Sequence, residues 1–245
     1  LRAGVQEANS LPGHNTLYLP AGEYTLNHGN VGDDQASGGD LDVTDDLTII
    51  GSGKVTIASA LADRIFDVHA DAALRLIGVA LTSGNVTGDG GAIRVTNGSI
   101  AYTTGSIYQN HSTRGGAVAA LSNSAVELSN VTLSGNSSET LAGAILLENS
   151  IATLKNVTVA NNSAVTGGGV YNQGGTLEIR NTILVDNHSQ SASPDVFGAI
   201  TSLGGNILGV NEGASGLTNG SNSDIVGTPA QPLDAKLGPL ELNGG

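Results

Sequence analysis

The chain has 245 residues, with 22 acidic against 9 basic side chains and a formal net charge of −13. That balance excludes the basic stripe needed to track a phosphate backbone, so nucleic acid and anionic membrane surfaces are not expected partners. Cys, Met and Trp are absent and aromatics make up 3%, which excludes disulfides and thiolate metal sites and leaves a core of Val, Ile, Leu and Ala.

The first ten residues, LRAGVQEANS, place Leu1, Val5 and Ala8 on one helical face. A short helix there would cover the open end of a stacked structure. No basic region followed by an apolar stretch opens the sequence, so it holds no signal peptide, whether one was removed or the chain is a fragment. No apolar run approaches the ~20 residues of a membrane span. Residues 15–26, NTLYLPAGEYTL, read as two strands around a turn.

An acidic loop follows. Asp33, Asp34, Asp40, Asp42, Asp45 and Asp46 fall within fourteen residues, with Gly for tight turns. Calcium takes six to eight oxygens from carboxylates and carbonyls, and this loop can offer them. Asp40 and Asp42 alternate in a strand pattern and are the first candidate ligands, with Asp33 and Asp34 beside them. The alternative is a solvated loop. LTIIGSGKVTI (47–57) reads as an early coil, and its GSG as a turn, since no GK[ST] follows to make a phosphate loop. RIFDV (64–68) reads as a strand, and LRLIGVALTSG (74–84) as a further coil.

From there a repeat emerges. GGAI at Gly90 returns as GGAV at Gly115, AGAI at Ala142 and GGGV at Gly167, in steps of 25, 27 and 25. In phase with it stand Asn110, Asn136, Asn162 and Asn187. A period in the twenties indicates a solenoid. Aligned on those asparagines, Ile100, Val126, Ala152 and Leu177 share one position, and Tyr102, Leu128, Leu154 and Ile179 another. Asn130, Asn156 and Asn181 share a polar corner. Apolar residues two apart are strand periodicity. Each repeat reads as about three short strands that bury their apolar face only against copies of themselves. Ile93, Val118, Ile145 and Val170 should form an internal column. The series Asn110, Asn136, Asn162, Asn187 and Asn130, Asn156, Asn181 should form two side-chain ladders at corners.

The fold class is therefore all-β: a right-handed single-stranded parallel β-helix with a short N-terminal capping helix, its hand following from the crossover rule. One domain spans 1–245, divided into a cap with first coils (1–46), regular coils (47–187) and irregular C-terminal coils (188–245).

Candidate chemistry is sparse. Glu127 and Glu178 share an outward column two coils apart, ~9.6 Å, near the upper limit for an inverting acid–base pair. Their alternation with buried neighbours makes a solvated face the default. Lys155 and Arg180 share another outward column. His111 and His188 stand three coils apart, too far to share a metal, and His14, His28 and His69 have no partner at ligand spacing. Most of the nine N-x-[ST] sequons, such as those at Asn110, Asn130 and Asn156, arise from the ladders and read as structural.

In order along the chain, LRAGVQEAN, LPAGEYTL, GGDLDVTDDLTIIGSG, RIFDV, the GGAI-type repeats, SLGGNILG and LGPLELNGG resemble the choice-of-anchor Q group of bacterial β-helix proteins. The repeats are also similar to those of polymorphic outer-membrane protein passengers, although Ile, Leu or Val replaces that pattern's Phe. The resemblance implies a secreted or cell-surface bacterial segment of a longer chain, and it supplies no catalytic motif. The expected function is a non-enzymatic structural or adhesin-type scaffold. Its partners would be surface glycans or host or cell-surface ligands, or itself end to end as fibres. The alternative is a carbohydrate-active β-helix enzyme, marked by outward Asp/Glu or Lys/Arg clustered over adjacent coils.

Overall fold

The computed structural model describes residues 1–29, 36–191, 193–238 and 240. Asp33 and Asp34 lie outside the described residues. All strand pairings between named strands are parallel and fall into three sheets, of 12, 8 and 5 strands. The chain is a parallel β-helix whose regular coils cross the first sheet, then the third, then the second.

Sequence period becomes register. Phe66, Ile93, Val118, Ile145, Val170 and Val196 stack as one column, which is the expected internal one extended at both ends. The columns Ile100–Val126–Ala152–Leu177 and Tyr102–Leu128–Leu154–Ile179 are likewise in register and buried. Burial of these aliphatic side chains contributes roughly 1.5–3 kcal/mol each. One contiguous core runs from Val5 to Val226.

The tetrapeptide links the third sheet to the second. Its second residue explains its monotony. A Cβ on Gly91, Gly116 or Gly143 would lie 2.2, 2.3 or 2.1 Å from the carbonyl oxygen of the equivalent glycine one coil on. No side chain fits between coils held ~4.8 Å apart. The third residue is buried Ala92, Ala117 or Ala144, and the fourth enters the core column.

The N-terminal helix spans Arg2–Ser10 and buries Val5 and Ala8 against the first coil, as the apolar face required. Arg2 fastens it, donating to the carbonyls of Ala36, Gly38 and Asp40. Two expected turns are instead irregularities within strands. Asn15–Leu26 is one strand whose register with its neighbour shifts between Pro20 and Gly22. The GSG lies inside strand Leu47–Ser59, where the register shifts between Ile50 and Val55. Stacking against the next coil carries the strand pairing past both sites, although Gly53 itself takes left-handed φ of 87°. After Asn187 the strands shorten to two to four residues.

Candidate functional site: a charged crease outside the tube

Alternation along the second sheet points every other residue outward. Asp42, Asp67, Arg94, Ala119, Leu146, Tyr171 and Phe197 form one such column. It lies against the bend made by the first tetrapeptide residue, which takes left-handed φ of 72° at Gly90, 68° at Gly115, 59° at Ala142 and 65° at Gly167. The bend creates an outer crease, and the crease is filled. Toward the C-terminal coils its filling is apolar: Ala119, Ala142 and Leu146 are buried outside the tube, with Leu121, Leu141 and Tyr171 around them. The Tyr171 and Phe197 rings stack with centroids 4.5 Å apart.

Toward the N-terminal coils the filling is ionic. The Arg94 guanidinium grips Asp67 through Nε, 2.9 Å from Oδ1, and through Nη2 to Oδ2. Arg64 Nη1 donates to Asp40 Oδ2 at 2.6 Å and to Asp67 Oδ2 at 3.4 Å. His69 Nε2 lies 2.8 Å from Asp42 Oδ1 and 4.0 Å from Asp67 Oδ2. The other Asp42 oxygen accepts the Ala36 N–H at 2.7 Å, tying down the turn before the strand. One coil on, Arg114 donates to both oxygens of Asp89 at 2.7 and 2.8 Å and reaches Glu148 at 3.4 Å.

Burial dominates the electrostatics. It pushes the Asp40 carboxyl up to about 7, outweighing Arg64, with Asp63 and Asp42 adding to the rise. It also raises Asp42 against the opposing hydrogen bond from His69. Asp67 and Asp89 hold the Arg94 and Arg114 guanidiniums more firmly protonated still. Asp40 Oδ1 is buried with no hydrogen-bond partner among the described residues.

The expected ligands Asp40 and Asp42 are thus not side chains of an open loop. They are 1% and 0% exposed and already engaged by Arg64 and by His69 with Ala36. His69 corrects the sequence reading, because it does have a partner at ligand distance. Asp42 comes from the adjacent coil, 27 residues back, where no local spacing reveals it. Carrying the Val43–Val68–Val95 column upstream from the repeats would have put Asp42, Asp67 and Arg94 in one row.

Both ladders form. Asn110, Asn136, Asn162 and Asn187 are buried, and each Oδ1 after the first accepts the Nδ2 of the preceding member at 2.9 Å. Asn130, Asn156 and Asn181 stack at 3.1 and 3.2 Å on the exposed side, all in left-handed backbone. The sequons at Asn130 and Asn156 therefore face solvent, unlike those at Asn110, Asn136 and Asn187.

A separate open groove of about 370 Å³ crosses the outer face of the first sheet, floored by Ala73, Ser99, Ala101 and Ala125 beside Arg75. Its two carboxylates, Asp46 and Glu127, stand three coils apart in the stack, ~14 Å at the usual strand spacing. Glu127 and Glu178 share a column with Thr153 between them, as expected. Lys155 pairs in register with Arg180, and His111 and His188 lie in one row with Ser137 and Ser163 between them.

These features define a parallel β-helix with an internally compensated outer crease. Among solved structures, the chain is similar to the A-module of the Azotobacter vinelandii mannuronan C-5 epimerase AlgE4, at 17% identity and a TM-score of 0.30, over 97% of this chain and 93% of that one. At that score the likeness says nothing about function. No family model matches the chain, and no curated protein does.

Proposed function

We propose that the chain is a non-enzymatic solenoid scaffold, a segment of a secreted or cell-surface bacterial protein of the choice-of-anchor Q type. Its function would be length, rigidity and binding along its faces. The observation that carries this is the pairing in the crease. Acids and bases that lie close together bind one another from coil to coil, at sequence separations of 24 to 27. Such pairs clamp a stack, and none of these carboxylates is left as a free acid–base pair over open space. In the open groove, the separation of Asp46 and Glu127 exceeds the ~6.5–9.5 Å span of an inverting pair. Its small floor and polar rim suit a surface glycan held without chemistry.

The test is turnover of uronate and neutral polysaccharides with and without calcium. No turnover is expected. Turnover that disappears in Glu127→Gln or His69→Gln would instead establish the carbohydrate-active alternative. End-to-end assembly belongs to the same reading. Sedimentation over a range of concentrations checks it, since a monomer throughout would remove the fibre.

A further inference from the structure

Asp42, Asp67 and His69 converge from two neighbouring coils. One carboxylate oxygen of each Asp and Nε2 of the His lie within 4.8 Å of one another. Asp40, Asp42 and Asp67 are each at most 2% exposed, and Arg64 pairs with Asp40 and Asp67 while Arg94 pairs with Asp67. Arg2 lies near but is occupied by backbone carbonyls. Asp40 is 1% exposed and its Oδ1 has no partner among the described residues. Its other oxygen shares Arg64 Nη1 with Asp67 Oδ2. A buried carboxylate oxygen left without a partner is costly unless a cation or a proton joins it.

We propose that Asp42, Asp67 and His69 form a binding site for a first-row divalent cation of the zinc class. Zinc takes imidazole nitrogen and carboxylate oxygen at ~2.0–2.2 Å in tetrahedral array, which sets its donors about 3.3 Å apart. The observed separations from His69 Nε2, 2.8 Å to Asp42 Oδ1 and 4.0 Å to Asp67 Oδ2, straddle that value. Binding would replace the His69–Asp42 hydrogen bond, with neutral His69 presenting an unprotonated Nε2 to the ion and keeping its one ring proton on Nδ1. Arg94 and Arg64 already bond the oxygens of Asp67 and would orient it from outside, as supporting shells do. The His69 side chain is 29% exposed, which leaves a path for the ion and a fourth position for water. The nitrogen ligand separates this site from the all-oxygen calcium loop expected from sequence, because calcium prefers six to eight oxygens.

Calorimetric titration of the whole chain with zinc chloride, and in parallel with calcium chloride, tests the site. The expected result is one zinc equivalent per chain, weakened at least tenfold in His69→Gln. Cobalt(II) should give an intense tetrahedral visible band in the wild type that His69→Gln loses. His69 is the most exposed member of the trio, so this variant keeps the fold, which its unfolding curve checks. Asp67→Asn gives a second arm and should also weaken zinc. Absence of saturable zinc binding to the wild type overturns the proposal. So does zinc binding of undiminished affinity in His69→Gln.

Discussion

Each position of the repeated tetrapeptide answers a different physical demand, and the four do not tolerate change equally. The first residue needs left-handed backbone, which glycine adopts freely and alanine adopts at a cost of about 1–2 kcal/mol. Ala142 shows that the cost is bearable there, since it sits at φ 59° with its methyl buried in the crease. The second residue faces a carbonyl oxygen from the next coil, and backbone cannot move aside without breaking the stack. Gly143→Ala, whose Cβ would meet the Gly168 oxygen at 2.1 Å, should therefore destabilise by more than ~3 kcal/mol or prevent folding. Gly115→Ala takes the backbone conformation of Ala142 but meets Val118 O at 2.7 Å and the Ala119 and Leu146 Cβ atoms at 3.1 Å; it should cost about 1–3 kcal/mol for the backbone and more for that milder contact, in total less than Gly143→Ala. Urea unfolding of the two variants side by side checks the ranking. Equal midpoints would mean that coil spacing, not φ, is the softer constraint.

At the scale of elements, the two asparagine ladders look alike in sequence and differ in what they hold. Asn136 accepts from the backbone and side-chain amides of Asn110, and donates to Ile107 O and to Asn162 Oδ1, all out of water. Asn136→Ala leaves these groups unpaired, at about 1–3 kcal/mol for each buried orphan. A total loss of several kcal/mol is expected. Asn156 bonds its neighbours on the exposed side, where water replaces them. Asn156→Ala should cost about 1–2 kcal/mol, chiefly for alanine in left-handed backbone. Chemical denaturation separates the two cases, and a larger loss at Asn156 would contradict the burial argument. The same contrast marks what was legible beforehand. Columns and ladders repeat every 25 to 27 residues, so residue type and period locate them. Which ladder faces inward follows from how strands close around the core, and period does not encode that. The crease is harder still to read. Asp40, Asp42, Asp67 and His69 lie before the tetrapeptide begins, so no repeated motif marks their row, although Asp42 and Asp67 stand one period of 25 residues apart. His69 looks isolated in sequence because its partner is one coil away.

Across the whole molecule the stack is directional, and its C-terminal end is marked chemically. Each buried ladder amide passes its Nδ2 to the next coil, and the buried ladder stops at a carboxylate, which only accepts. Asp195 Oδ1 takes the Asn187 N–H at 3.2 Å and its Nδ2 at 2.9 Å, while Oδ2 takes the Val210 N–H at 2.7 Å. A second, shorter stack behaves in the same way: Asn206 Oδ1 accepts the Thr182 N–H at 3.0 Å, and Asp224 Oδ1 accepts both the N–H and the Nδ2 of Asn206 at 2.9 Å. An asparagine at position 195 would turn a donor toward Val210 N–H and leave both without an acceptor. Asp195 is 1% exposed, and burial raises its carboxyl from 3.8 to about 6 despite the three donors, with Asp186 adding to the rise. The folded state then holds the proton more tightly than the unfolded chain. The stabilising contribution is complete below about 3.8, is lost progressively as pH rises to about 6, and is constant above that. The whole swing is about 3 kcal/mol at 1.36 kcal/mol per pH unit. Asp40, raised to about 7, adds a slope of the same sign that runs further upward. Asp195→Asn removes only its own part. Wild type minus variant stability, from urea unfolding at intervals between pH 4 and 8, should fall between about 4 and 6 and level off above. A difference that is flat across that window would mean that the ladder terminus is solvated in solution and that the carboxylate ends the stack without being strained by burial.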